Sequence, residues 1–76
     1  MTEIQKEVDA RGLNCPLPIL RTKKALNDMV SGQLLRVLAT DPASSRDFQA
    51  FSKQTGNALV ESAEKEGVYT YVLRRK

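Results

Sequence analysis

Seventy-six residues, 41% apolar and 28% charged, point to a single domain over residues 1–76, too short to enclose a large active site, since a chain of this size buries only about 60% of the surface it exposes when unfolded. One cysteine and no histidine exclude an internal disulfide framework and a histidine-ligated zinc site, so the fold rests on its apolar core. The net charge of +3 is uneven: residues 1–10 carry −2, while residues 11–36, which surround the only cysteine, Cys15, carry +4.

From Glu3 to Ala10 the apolar residues Ile4, Val8 and Ala10 alternate with Glu3, Gln5, Glu7 and Asp9, the period-two pattern of a half-buried strand. This acidic, alternating start is unlike a secretory signal, and no window has the apolar length of a membrane span. The expectation is a cytoplasmic protein. Gly12 interrupts the strand. From Cys15-Pro16-Leu17-Pro18 onward, Ile19, Leu20, Leu26, Met29 and Val30 recur at helical spacing opposite Arg21, Lys24 and Asp28, which predicts an amphipathic helix of about 14 residues ending at Ser31-Gly32.

Leu34-Leu35-Arg36-Val37-Leu38-Ala39 has the length and composition of a central strand, parallel to the first. After the turn Thr40-Asp41-Pro42, Ser44 or Ser45 is the expected cap of a second helix, with Phe48 and Phe51 inward, ended by Gly56-Asn57. Ala58 to Glu64 and Val68 to Leu73 alternate as strands about the turn Lys65-Glu66-Gly67. The order βαβαββ predicts an α/β (α+β) two-layer sandwich, with two helices on one face of a four-stranded mixed sheet.

Cys15 falls where the first strand gives way to the first helix, the end of an α/β sheet at which ligands gather. As the helix N-cap it would place its sulfur near free amide groups and the positive end of the helix dipole, with Arg11 and Arg21 adding positive charge. All of these lower a thiol pKa. Pro16 at the first helical position and Pro18 two residues on would stiffen its backbone. Without histidine or a second cysteine there is neither a Cys-His dyad nor a C-x-x-C pair, which leaves cofactor-free acceptance and donation of sulfane sulfur as chemistry for a solitary activated thiol. The competing reading is that Cys15 is a small buried hydrophobe.

The stretch Ala10-Arg11-Gly12-Leu13-Asn14-Cys15-Pro16-Leu17-Pro18 resembles the Cys-Pro-x-Pro signature of the TusA (SirA-like) sulfur carrier family, and Asp41-Pro42-Ala43-Ser44-Ser45-Arg46-Asp47 resembles that family's second loop and helix start. The likeness runs over roughly residues 7–75. It implies a sandwich like the C-terminal domain of translation initiation factor 3, with Cys15 as the persulfide-bearing, catalytic residue. It also implies a sulfur-donor protein (a cysteine desulfurase or a rhodanese-like protein) and a sulfur-acceptor protein in tRNA thiolation, molybdenum cofactor maturation or oxidative sulfur metabolism, with no cofactor. Leu17 stands where many members of the tRNA-thiolation branch have an acidic residue, and Ser52 where some have a second cysteine.

Around Cys15, the expected support for the thiolate and the site geometry comes from Arg11, Gly12, Pro16 and Pro18, and the expected partner contacts are Arg21, Lys24, Asp41 and Arg46. Tyr69, Tyr71 and Leu73 share one strand face, where aromatic residues either stack bases or fill a core. A pI near 9.3 and the positive block around Cys15, that is charge alone, keep a small nucleic-acid-binding module as the alternative function, beside a regulatory interaction domain in which the cysteine is incidental. Glu61 and Glu64 are a poor acid-base pair because residues three apart on a strand face opposite ways. The tail Arg74-Arg75-Lys76 reads as edge protection.

Overall fold

The computed structural model describes residues 3–76 and contains β1 (Lys6–Ala10), α1 (Leu17–Asn27), β2 (Leu34–Ala39), α2 (Ser44–Thr55), β3 (Ala58–Lys65) and β4 (Val68–Arg74). The sheet order is β1-β2-β4-β3, with β1 parallel to β2 and the other neighbours antiparallel, so the sheet is mixed as expected. Both helices pack on one face of it.

The first strand starts later than its alternation suggests. Gln5 donates its main-chain N–H to the Leu34 carbonyl at 3.0 Å and accepts the Leu34 N–H on its side-chain carbonyl at 2.7 Å, so a side chain serves as one of the two partners there, and the ladder proper begins at Lys6 opposite Leu35. Ile4 consequently leaves the face of Val8 and lines a shallow depression with Arg36, Val60, Glu61 and Val72 on the helix-free side of the sheet. The hairpin turn is made by Glu66 and Gly67, both at positive φ (53° and 82°), the two-residue geometry that suits the twist of antiparallel strands.

α1 is shorter than its periodicity predicts and rotated from the expected face. Pro18, Thr22, Ala25 and Leu26 are buried, and Met29 is buried just beyond the helix, whereas Leu20 and Val30 are 51% and 65% exposed. The buried stripe includes the small side chains of Thr22 and Ala25, and the Thr22 hydroxyl is satisfied by donating to the Pro18 carbonyl at 2.8 Å. At the far end the Arg75 guanidinium donates to the Leu26 carbonyl at 3.1 Å, so part of the basic tail closes the negative end of α1.

α2 also begins differently. Its N-cap is Ala43, with no side-chain cap, and Ser44 is turned inward to share a 2.7 Å hydrogen bond with the Tyr71 hydroxyl. Phe48 lies flat on Tyr71 (centroids 4.4 Å apart, planes 14° apart) and edge-on to Phe51 (6.5 Å, 74°), while Leu35, Val37 and Leu73 complete the fully buried centre. Tyr69 and Tyr71 thus belong to the core layer and not to a solvent-facing stacking platform. Ser52, on α2, accepts the Leu59 N–H at 3.1 Å and so ties the helix to β3.

Replacing Tyr71 by Phe strands the Ser44 hydroxyl, which is only 1% exposed, and is expected to cost about 1–3 kcal/mol in urea melts, part of which the Ser44→Ala/Tyr71→Phe double variant recovers. Burial also pushes the Tyr71 phenol up from its ordinary 10.0. The folded state therefore keeps this proton better than the unfolded one. The contribution is full below the unfolded phenol pKa and is lost as pH rises from there through the raised folded value.

Candidate functional site

β1 and β2 run parallel and end together, Ala10 opposite Ala39, so the loops that follow them leave the same end of the sheet. The first of these loops carries Cys15, which is exposed and free. It is tied to the second at two points: the Gly12 N–H donates to the Thr40 hydroxyl at 2.9 Å, and the Cys15 N–H donates to Asp41 Oδ2 at 2.8 Å. Asp41 Oδ1 at the same time accepts the Ala43 N–H at 3.1 Å, so one carboxylate fixes both the cysteine backbone and the start of α2. Gly12 takes φ +81°, a conformation that side-chain-bearing residues rarely adopt.

Several expectations for the thiol change in this geometry. The N-cap of α1 is Pro16, reached through a cis Cys15-Pro16 bond, and the helix starts at Leu17. Cys15 therefore precedes the cap. The amides that would receive an anion are depleted: Leu17 donates to the Asn14 carbonyl at 2.8 Å, and Pro16 and Pro18 have no N–H. Pro18 itself packs into the core.

The arginines are elsewhere as well. Arg11 grips the Asp9 carboxylate through Nε (2.9 Å) and Nη2 (3.0 Å) and holds its pKa at about 2. Arg21 and Lys24 line a separate polar groove between α1 and β1, with Lys6, Glu7, Asp9 and Asp28.

The groups that do face Cys15 come from the second loop and α2. The thiol is raised from its ordinary value, first by the Asp47 carboxylate acting as hydrogen-bond partner, then by partial desolvation and by the negative charges of Asp47 and Asp41, with Arg46 pulling the other way. The expected lowering of the thiol pKa is thus reversed. Of the residues singled out in the sequence, Cys15, Pro16, Asp41 and Arg46 gather at one place, while Arg11, Arg21 and Lys24 do not.

A groove of about 240 Å³ runs from Cys15 between the helices, lined by Pro16, Ile19, Lys23, Asp47, Phe51 and Gln54 among others. The groove also takes in Lys23, from the positive stretch around Cys15, and Asp47, to which the sequence assigned a place in the first turn of α2 and no role in the site. The available signal for Asp47 was its place in the first turn of the helix that follows the neighbouring strand. Among the described residues no cluster of His, Cys, Asp and Glu suits a metal ion, and no helix is long and apolar enough to cross a membrane.

Residues 6–75 match the family model described as sulfurtransferase TusA. This chain belongs to the TusA family. It is 57% identical to the sulfur carrier protein TusA of Allochromatium vinosum over 75 residues, covering 99% of both chains. It is 44% identical to the TusA of Pseudomonas aeruginosa over 69 residues, 91% of this chain and 87% of that one. The crystal structure of a SirA-like protein from Desulfitobacterium hafniense superimposes with a TM-score of 0.82 at 30% identity, covering 92% of this chain and 96% of that one. The TusA family assignment thus spans both helices, all four strands and the Cys15 loop.

Proposed function

We propose that this chain is a sulfur carrier that holds a sulfane sulfur as a persulfide on Cys15 and relays it between two proteins. The observation that carries the reading is the presentation of the chain's only cysteine, exposed on a loop whose backbone is held by Thr40 and Asp41 at the open end of the parallel strands. Its membership of a family whose relatives bear the name sulfur carrier supports the same conclusion.

In the loading step the Cys15 thiolate attacks the outer sulfur of a donor persulfide. A bond forms between Cys15 Sγ and that sulfur, the donor's own S–S bond breaks, and the donor cysteine leaves as a thiolate that takes up the proton Cys15 released. No net oxidation occurs, so no cofactor is needed. Unloading repeats the exchange, with an acceptor thiolate attacking the outer sulfur on Cys15. The donor is a cysteine desulfurase or a rhodanese-like protein, and the place of action is the cytoplasm. Because every transfer requires a second protein, the chain works as a carrier more than as a turnover enzyme.

The nucleic-acid alternative finds little support. Three cations, Lys6, Arg11 and Arg36, are engaged by Asp28, Asp9 and Glu7, and the tyrosines lie in the core layer. Intact-mass spectrometry after incubation with a cysteine desulfurase and cysteine tests the proposal. The wild type is expected to gain one sulfur atom reversibly under reductant and Cys15→Ser none; an unmodified wild type with both kinds of donor would overturn it.

A further inference from the structure

β1 lies at one edge of the sheet and has β2 as its only strand neighbour, so alternate main-chain N–H and C=O groups along its other side face outward with no strand to meet them. The opposite edge strand, β3, is interrupted by a register shift between Leu59 and Glu61, and such an interruption blunts an edge against pairing. β1 holds an unbroken register from Lys6 to Ala10.

Beside this open edge runs the groove of about 640 Å³ between β1 and α1. Its strand wall is Lys6 to Asp9, and its helix wall is Arg21, Lys24, Ala25 and Asp28, one face of α1 and its C-cap at spacings of three and four. All three anions of the groove are engaged: Glu7 by Arg36, Asp9 by Arg11 and Asp28 by Lys6. Arg21 and Lys24 take part in no ion pair among the described residues. Two uncommitted cations thus flank a row of unpaired backbone groups.

A strand added to β1 sends every second side chain to the helix side, at intervals of about 6.6–6.8 Å. Side chains three apart on a helix stand about 5–6 Å apart at Cβ. Two acidic residues in the pattern acid-x-acid therefore match Arg21 and Lys24, and the residue between them turns to the other face of the sheet. A second copy of this chain fits less well. Paired antiparallel through the same edge, it would bring its own Arg21 and Lys24 to the groove and add no free anion.

We propose that the β1 edge is a docking site for an extended acidic segment of a partner protein, which joins the four-stranded sheet beside β1 and sets two carboxylates, at alternate positions, on Arg21 and Lys24. This goes beyond the carrier reading and does not depend on it. Cys15 lines the groove on the other flank of α1, so a partner held by β1 leaves the thiol open for exchange.

The test titrates isotope-labelled protein with an end-capped peptide alternating glutamate and threonine, followed by amide chemical shifts and amide hydrogen exchange. The expected result is shifts and slowed exchange at the β1 amides, Lys6 to Asp9. The variant Arg21→Glu/Lys24→Glu is expected to weaken binding by about tenfold, since an exposed ion pair is worth up to about fivefold in affinity and both are reversed. Both side chains are exposed, and the unperturbed amide spectrum of the variant establishes that it is folded.

Two control peptides separate strand addition from charge alone. One carries the same glutamates with N-methylated threonines, which removes main-chain donors and keeps the charge; the other alternates lysine and threonine. Both are expected to bind at least about tenfold more weakly than the parent. Equal binding of the N-methylated peptide, equal binding of the lysine peptide, or no shift at millimolar parent peptide overturns the proposal. Concentration-dependent shifts at the β1 amides of the protein alone would assign the edge to a second copy and overturn it as well. No sulfur transfer enters the measurement, so its outcome stands whether or not Cys15 carries a persulfide.

Discussion

Asp41→Ala is expected to slow desulfurase-dependent loading of Cys15 by about ten- to a hundredfold, the range in which a displacement of reacting groups by roughly an ångström falls. The carboxylate accepts the Cys15 N–H at 2.8 Å and the Ala43 N–H at 3.1 Å. Removing it frees the cysteine loop from α2 and leaves two amides to water. The stability cost is expected to be small, about 1–2 kcal/mol, because both bonds are near the surface. Intact-mass time courses give the loading rate.

Alkylation by a small reagent separates position from reactivity. Asp41 also pushes the thiol up, so its loss should not slow iodoacetamide even as protein-mediated loading falls. Thr40→Ala, which cuts only the tie to Gly12, should lie between the wild type and Asp41→Ala. Loading of Asp41→Ala at the wild-type rate would show that the tie is not needed.

The second large effect is on stability. Phe48→Ala is expected to cost about 3–5 kcal/mol, the usual range for emptying a buried phenylalanine site. Phe48 is fully buried, stacked on Tyr71 and edge-on to Phe51, and the helices that meet over it define the groove beside Cys15. For a domain of this size that is a large share of a total stability of about 5–15 kcal/mol. Urea denaturation followed by circular dichroism measures it. Phe48→Leu, which keeps most of the volume, should lose far less.

The order of the six elements could be read from periodicity because strands and helices of this chain bury alternating or helically spaced residues. The errors fall where a side chain replaces a backbone group or where small residues do the burying. Gln5 accepts the Leu34 N–H on its side chain, Ser44 turns its hydroxyl into the core and leaves α2 without a side-chain cap, and Thr22 and Ala25 hold the buried stripe of α1 while the larger Leu20 and Val30 face water. Spacing weighs residues by apolar size, and none of these three cases follows size.

The cysteine itself was legible from its motif and its place between strand and helix. Its electrostatics were not. The neighbouring sequence supplies Arg11 and Arg21, but Arg11 is turned onto Asp9 and Arg21 onto the α1–β1 groove, while Asp47 arrives from a helix distant in the chain. Which charge meets a side chain at a loop depends on tertiary register, and no local pattern encodes it.

One consequence follows from the way the loop is fastened. Asp41 holds residue 15 by its main-chain N–H and Thr40 holds Gly12 in the same way, so neither tie depends on the sulfur. A carrier whose thiol has been alkylated or over-oxidised should keep its shape and go on occupying its donor. Such damaged molecules would act as competitive inhibitors of the undamaged ones, and the serine variant, which carries no sulfur itself, would become a dominant-negative when made in excess beside the wild type.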